Sequence, residues 1–428
     1  MGNMDFLLRG TVALLLILFT SRVCGALALK IKQPRVVGEM VAGIVLGPSL
    51  FGLLFGDWQQ SIFTPQVSTL LSFLSNLGLA FYMFTVGMEL DYKLFSKDNV
   101  KKAGFLAISG IVTPLILAVL TAIMLYEQLS LKSVPILTFA LFMGGALSLT
   151  AFPMLARILQ ERNLTNTRMG SLTIIAASID DVSAWILLAL INALALSNSF
   201  IGGIKTAIYG AVFTLICLWI IRPFLNKYIM RLERRGEIGE GTLALVIMLI
   251  LGGTWYTDYV GIYSVFGGFI LGLAMPRTPL FKKYISNNLI NITVVFLVPI
   301  FFTNSGLKTN FSNLMNIDSF IPCLIILLAS FAGKYGGATL AMKKIGFSWR
   351  EASAIGGLMN ARGLMLLIFI NLGISYNLIS QELFSILVLM AIISTAAAMP
   401  IYNASLPNSY EEKIKKEVQI TSKPVLSK

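Results

Sequence analysis

The chain has 428 residues, of which 56% are hydrophobic and only 12% charged, with 33 Lys and Arg against 20 Asp and Glu and a mean hydropathy of +0.81. A soluble domain carries about 25% charged residues, so this composition excludes an ordinary soluble enzyme; the net charge of +13 is spread without a long basic run, which argues against a nucleic-acid partner. Apolar runs of about 18 residues or more recur along the whole length, each able to cross a ~30 Å hydrocarbon core, and the ~10-residue alternating segments of a β-barrel are absent.

The reading is therefore an all-α polytopic membrane protein. Thirteen spans are predicted in chain order, at 6–29, 36–54, 70–90, 104–125, 134–159, 169–196, 206–221, 242–255, 262–275, 289–306, 320–342, 352–373 and 383–401. The first could be the core of a cleaved signal peptide, but Arg22 closes it and no clean small-residue cleavage site follows, so a retained helix is expected. Residues 1–403 form one transmembrane domain and 404–428 a short tail on the inside.

Basic residues test this count. With the N-terminus outside, Arg9, Lys132, Lys205 and Lys308 fall on outer segments and Arg22, Lys334 and Arg362 within spans. All the other Lys and Arg fall on the inside, so the positive charge reads as a topology signal, with attraction to anionic lipid of the inner leaflet as a secondary effect. Six spans, a linker span and six more allow two halves of opposite orientation, an inverted repeat with discontinuous helices meeting at the membrane midplane. Span five contains SLTAFPMLAR, with Thr150 and Pro153, and span twelve contains GGLMNARGLM, with Asn360 and Arg362 between glycines. Proline removes a backbone donor and glycine weakens a helix, so both spans are expected to break there.

Cys24, Cys217 and Cys323 are scattered through apolar segments with no metal or disulfide spacing, and no cofactor is expected. Histidine is absent, so proton chemistry near neutral pH falls to carboxylates or lysine. The segment SIDDVSAW places Asp180 and Asp181 side by side within span six. Asp180 is about twelve residues in, which at ~1.5 Å per residue is near mid-bilayer. A carboxylate there costs about 2.5–3.5 kcal/mol on the insertion scale and must face protein or water. Adjacent helical positions differ by about 100° in direction, so the two acids cannot share one site in the same way. Lys334 is the one lysine deep in any span and offers a counter-charge to one of them. The other acid is left as a proton or cation site, where competition between H⁺ and a hard monovalent ion would couple two fluxes.

The stretches QPRVVGEMVAGIVLGPSLFG, FTVGMELD, SLTAFPMLARIL, IDDVSAW, GIYSVFGGFILG and LMNARGL run in order through almost the whole chain. As a set they resemble the second group of monovalent cation:proton antiporters, which includes bacterial Na⁺/H⁺ and K⁺/H⁺ exchangers and plant cation exchangers. The resemblance implies a homodimer in a bacterial inner membrane, with a dimerisation part and a core part that moves like an elevator. It implies that Asp181 is the carboxylate for Na⁺, K⁺ or Li⁺ and for H⁺. It implies that Asp180 is the preceding acid of electrogenic members, paired with Lys334, and that Thr150 and Asn360 lie where the broken helices cross. Potassium-efflux relatives carry glutamine before the aspartate and many add a nucleotide-binding domain; neither is expected here. Relatives often carry a glutamate three residues after the Arg-Gly glycine, where this chain has Leu366, which puts any role of that acid in doubt.

Three other readings compete. A Na⁺-coupled carrier of an organic solute on a related inverted-repeat fold would use the same acids for its co-substrate. An intramembrane aspartyl protease would place its acids on separate helices with a GxGD motif, which is absent. A channel would be obstructed by a buried Asp–Lys pair.

Overall fold

The computed structural model describes residues 3–89, 97–152, 167–197, 200–309 and 317–407, with isolated positions between 153 and 166. The described residues are helical apart from short connections. In chain order the longer helices are α1 (Asn3–Lys30), α2 (Arg35–Leu46), α3 (Pro65–Glu89), α4 (Lys97–Leu129), α5 (Ile136–Ser148) and α6 (Arg168–Ser197). Next come α7 (Phe200–Ile216, through a π turn at Cys217–Ile221, then Arg222–Arg235), α8 (Glu240–Tyr259) and α9 (Ser264–Ala274). α10 starts at Pro279–Ile285, passes π turns at Ser286–Ile290 and Thr293–Leu297, and ends with Val298–Leu307. α11 runs Ile317–Phe331, through a π turn at Ala332–Gly336, to Gly337–Lys344. α12 (Trp349–Met359), α13 (Gly363–Ser375) and α14 (Gln381–Ser405) complete the series.

Among the described residues, nine helices are long and apolar enough to cross a membrane, while Ile136–Ser148, Val265–Ala274 and Met365–Ser375 are apolar but shorter. Large apolar side chains such as Leu15, Phe19, Trp219 and Phe224 stand exposed, as lipid contact requires. The sequence places the end of the seventh span at Ile221; α7 instead continues to Arg235. Its last part is basic and amphipathic, and Gly236 closes it in the left-handed conformation at φ 70°. Hydropathy marks where a helix stays apolar, not where its hydrogen-bond ladder stops.

The chain divides into two compact units. The first comprises Met1–Lys30, Gly38–Asp91 and Trp185–Asn310. Its packing depends on close backbone approach, the usual solution where lipid supplies no hydrophobic drive between helices. A Cβ on Gly43 would lie 2.5 Å from the Thr303 carbonyl oxygen, and one on Gly306 would lie 2.6 Å from the Gly43 Cα. A buried Ser21–Thr303 hydroxyl pair at 3.0 Å and a cluster of Ala13, Ile17, Leu46, Val67, Leu71 and Ile300 add to the same seam.

The second unit comprises Ile31–Val37, Tyr92–Ala184 and Phe311–Lys428. Here α4 packs on α5 and α11, α12 on α11 and α14, and α13 on α14 and α5. The start of α12 is fixed by a capping box: the Ser348 backbone N–H donates to Glu351 Oε2 (2.9 Å) and the Glu351 N–H to Ser348 Oγ (3.2 Å).

Candidate functional site

Asp180, Asp181, Thr150, Lys334, Asn360 and Arg362 all belong to the second unit and all are buried. They come together because two helices stop inside the unit. α5 ends at Ser148, the Leu149 N–H closing its last turn on the Gly145 carbonyl (3.2 Å), and Leu149 to Ala151 lie outside any helix. α12 ends at Met359, and Asn360 to Arg362 bridge to α13. The two interruptions meet: the Ala151 N–H donates to the Ala361 carbonyl at 2.9 Å. Across the second interruption, Thr395 Oγ1 accepts from the backbone N–H groups of Arg362 (3.3 Å) and Gly363 (3.2 Å), satisfying the first donors of α13. Gly363 itself has φ 39°, a turn conformation that suits a residue without a Cβ.

Helix ends leave carbonyls without intrahelical partners, and two buried cations take up those of α5. The Lys334 ammonium donates to the Ser148 carbonyl (2.6 Å), the Gly110 carbonyl (2.8 Å) and Asp180 Oδ2 (2.7 Å). An ammonium has three donors, and all three are used. The Arg362 guanidinium donates through one Nη to the Ala146 carbonyl (2.9 Å) and through the other to the Ser330 carbonyl (3.1 Å). Arg362 thus ties the end of α5 to α11.

The two adjacent aspartates are treated differently. Asp180 Oδ2 accepts from Lys334 and from the Thr150 hydroxyl (2.8 Å), which also lies 3.1 Å from the Met359 carbonyl. Asp181 is 1% exposed, and neither of its oxygens has a hydrogen-bond partner among the described residues. The Phe152 backbone amide faces it without completing a bond of normal geometry. Asp180 Oδ1 and both side-chain polar atoms of Asn360 are likewise buried and without partners among the described residues. A buried polar group without a partner costs several kcal/mol, so these atoms mark a place where a proton or an ion would supply what the protein does not. Among the described residues no group of three or more His, Cys, Asp or Glu side chains is arranged to hold a metal ion.

Of the residues singled out in the sequence, Pro153 lies outside the described residues, and Leu366 is fully buried in α13. Sequence reading missed the Gly110, Ser148 and Ala146 carbonyls and the Thr395 hydroxyl. Backbone carbonyls carry no residue signature; the one available sign was Pro114 in the middle of α4.

The family model for the transmembrane sodium/hydrogen exchanger matches residues 15–401. The chain is 36% identical over 390 residues to the Na⁺/H⁺ antiporter NhaS4 of Synechocystis, covering 91% of this chain and 95% of that one. It is 36% identical over 374 residues to cation/H⁺ antiporter 19 of Arabidopsis thaliana, where 87% of this chain covers 46% of the plant protein. With K⁺/H⁺ antiporter 1 of Saccharomyces cerevisiae it shares 29% identity over 400 residues, 90% of this chain and 45% of the yeast protein. The chain thus spans less than half the length of these two eukaryotic relatives. The fold is similar to that of the sodium proton antiporter MjNhaP1 of Methanocaldococcus jannaschii, with a TM-score of 0.69 at 18% identity, covering 95% of this chain and 99% of that one. With almost the whole chain matched by the family model and the full-length cyanobacterial relative, the protein belongs to the transmembrane sodium/hydrogen exchanger family, a family of cation/proton antiporters and not of enzymes.

Proposed function

We propose that Asp181 is the carboxylate on which a monovalent cation, Na⁺ or K⁺, and a proton compete, and that Asp180 with Lys334 makes the exchange electrogenic. The observation that carries this reading is the contrast between the two acids: Asp180 is bound by Lys334 and Thr150, while both oxygens of Asp181 are buried without a hydrogen-bond partner among the described residues. A hard monovalent ion needs several oxygen ligands; the Asp181 oxygens, Asp180 Oδ1 and Asn360 Oδ1 offer them without breaking any existing bond. Lys334 holds a proton of its own, so a cation engaging both carboxylates displaces more than one proton and the cycle moves net charge. The names of the cyanobacterial and yeast relatives give Na⁺ and K⁺ respectively.

The wider frame of the proposal is thirteen spans in two inverted six-helix halves with discontinuous helices crossing at the midplane. The protein alternates access by an elevator-like shift of the part bearing the site and works as a homodimer. Residues 1–403 form the antiporter domain, the N-terminus faces out, and the tail from 404 faces the cytoplasm of a bacterial inner membrane. Residues 408–428 lie outside those described.

The test is proteoliposome transport with an internal pH dye, under Na⁺, Li⁺ and K⁺ gradients, with and without a potential clamp. Cation-driven proton movement that changes when the clamp is released supports electrogenic exchange. Full activity in Asp181→Asn sinks the site.

A further inference from the structure

The third acceptor of Lys334 raises a question of its own. Gly110 lies within α4, where its carbonyl should accept from the N–H four residues on. That residue is Pro114, which has no N–H. The oxygen is therefore free of its helical partner, and the Lys334 ammonium takes it at 2.8 Å.

The same arrangement occurs twice more. Pro299 in α10 offers no N–H four residues after Val295, which lies in the π turn, and Arg22 of α1 donates to the Val295 carbonyl at 3.0 Å. Pro322 in α11 leaves the Asp318 carbonyl free, and the Gln128 side chain of α4 donates to it. In all three cases a long side chain from a neighbouring helix fills the position a proline has vacated. For the buried Gly110 carbonyl the alternative in a bilayer is an oxygen without water, so its pairing with Lys334 resolves two costs at once.

We propose that Pro114 is a positioning residue for the antiport site: by withholding an N–H it reserves the Gly110 carbonyl for Lys334. Together the Gly110 and Ser148 oxygens hold two N–H groups of Lys334 independently of Asp180, so the third points at Asp180 Oδ2. Lys334 Nζ keeps its place when Asp180 turns to another partner, because the two N–H groups of a neutral amine still suffice for the two carbonyls. The packing supports this placement. A Cβ on Gly333 would lie 2.6 Å from the Pro114 Cα, so α11 seats its π turn directly against the proline, with Lys334 next in sequence. A π turn shifts the register of the side chains that follow and is often found at functional sites.

This inference rests on the site proposed above, and the test separates the two. Exchange is measured in proteoliposomes for Pro114→Ala, which returns an N–H to position 114 and sets it in competition for the Gly110 oxygen. The turnover rate is expected to fall about tenfold, the effect of one charge-assisted hydrogen bond, with the half-saturating cation concentration little changed because Asp181 is untouched. Placing lactic acid at position 114 by nonsense suppression gives the alanine side chain with an ester oxygen in place of N–H, and it should restore the rate. In a Lys334→Gln background, Pro114→Ala should add no further loss; where that background is inactive, the same comparison is read in melting temperature.

A wild-type rate in Pro114→Ala, or an ester variant as slow as the alanine one, overturns the role of the missing N–H. An equal further loss in the Lys334→Gln background overturns it too. Should Pro114→Ala not fold, the α-hydroxy acid analogue of isoleucine at position 111 weakens the Gly110 carbonyl with the proline kept; slower exchange supports the proposal and a wild-type rate overturns it. Unchanged exchange in Lys334→Gln alone removes the site assignment, and this inference with it.

Discussion

Lys334 Nζ and Asp180 Oδ2 lie 2.7 Å apart, with the lysine side chain 0% and the aspartate side chain 1% exposed. Such a pair is expensive to break from one side. Lys334→Ala leaves a buried carboxylate, and the loss expected is about 3–5 kcal/mol. Asp180→Asn should cost less, because the ammonium keeps the Gly110 and Ser148 carbonyls. Melting temperatures in detergent check the order; an alanine variant as stable as the parent would contradict it.

Asp181→Asn should behave in the opposite way. It removes a buried charge that has no hydrogen-bond partner among the described residues, so melting temperature should hold or rise while exchange is lost. A bound ion stabilises the folded state by about 2.7 kcal/mol at a hundredfold excess over its Kd. The wild-type melting temperature should therefore rise with the transported cation and that of Asp181→Asn should not. An equal rise in both would place the ion elsewhere.

Thr150→Val keeps the shape and removes the hydroxyl that donates to Asp180. Leaving a buried acceptor short of a partner costs about 1–3 kcal/mol. Exchange should slow by an order of magnitude or more, and Thr150→Ser should recover most of it. Equal rates for the serine and valine variants would show that the hydroxyl is idle.

Arg362→Lys is not a conservative change here. The guanidinium spans the Ala146 and Ser330 carbonyls with its two Nη atoms, and a single ammonium on a shorter reach cannot reproduce that fork. A melting temperature lowered as far by lysine as by glutamine is the expected result; full rescue by lysine would show that charge alone suffices.

In the first unit, Gly306→Ala drives a methyl to 2.6 Å from the Gly43 Cα. Backbone cannot yield as a flexible side chain does, and overpacking of this kind costs about 1–3 kcal/mol. The readout is folded yield and melting temperature, with Gly236→Ala as a contrast: nothing lies near that position, and only its φ of 70° opposes a side chain.

The helices, the acid pair and its lysine were legible in the sequence because each is a departure from the surrounding pattern: length against the bilayer, charge against apolar runs. The roles of Asp180 and Asp181 were not assignable from spacing, since a 100° turn separates them but does not say which side meets Lys334. The other partners of Lys334, and those of Arg362, were hidden for another reason. They are main-chain oxygens, made available by where a ladder stops at Ser148 or is interrupted at Pro114. The π turn at Ala332–Gly336 was equally hidden, because α and π turns differ in hydrogen-bond register and not in composition.

The bond from the Ala151 N–H to the Ala361 carbonyl joins two segments that are 210 residues apart in the chain. Main-chain atoms make it, so among single substitutions only proline at 151 deletes it outright, but a change on either segment can strain it. In a genetic screen, compensating changes for a lesion at Thr150 should therefore fall near Asn360 and Thr395, and lesions there should be relieved near Thr150. The two stretches are joined as one mechanical part.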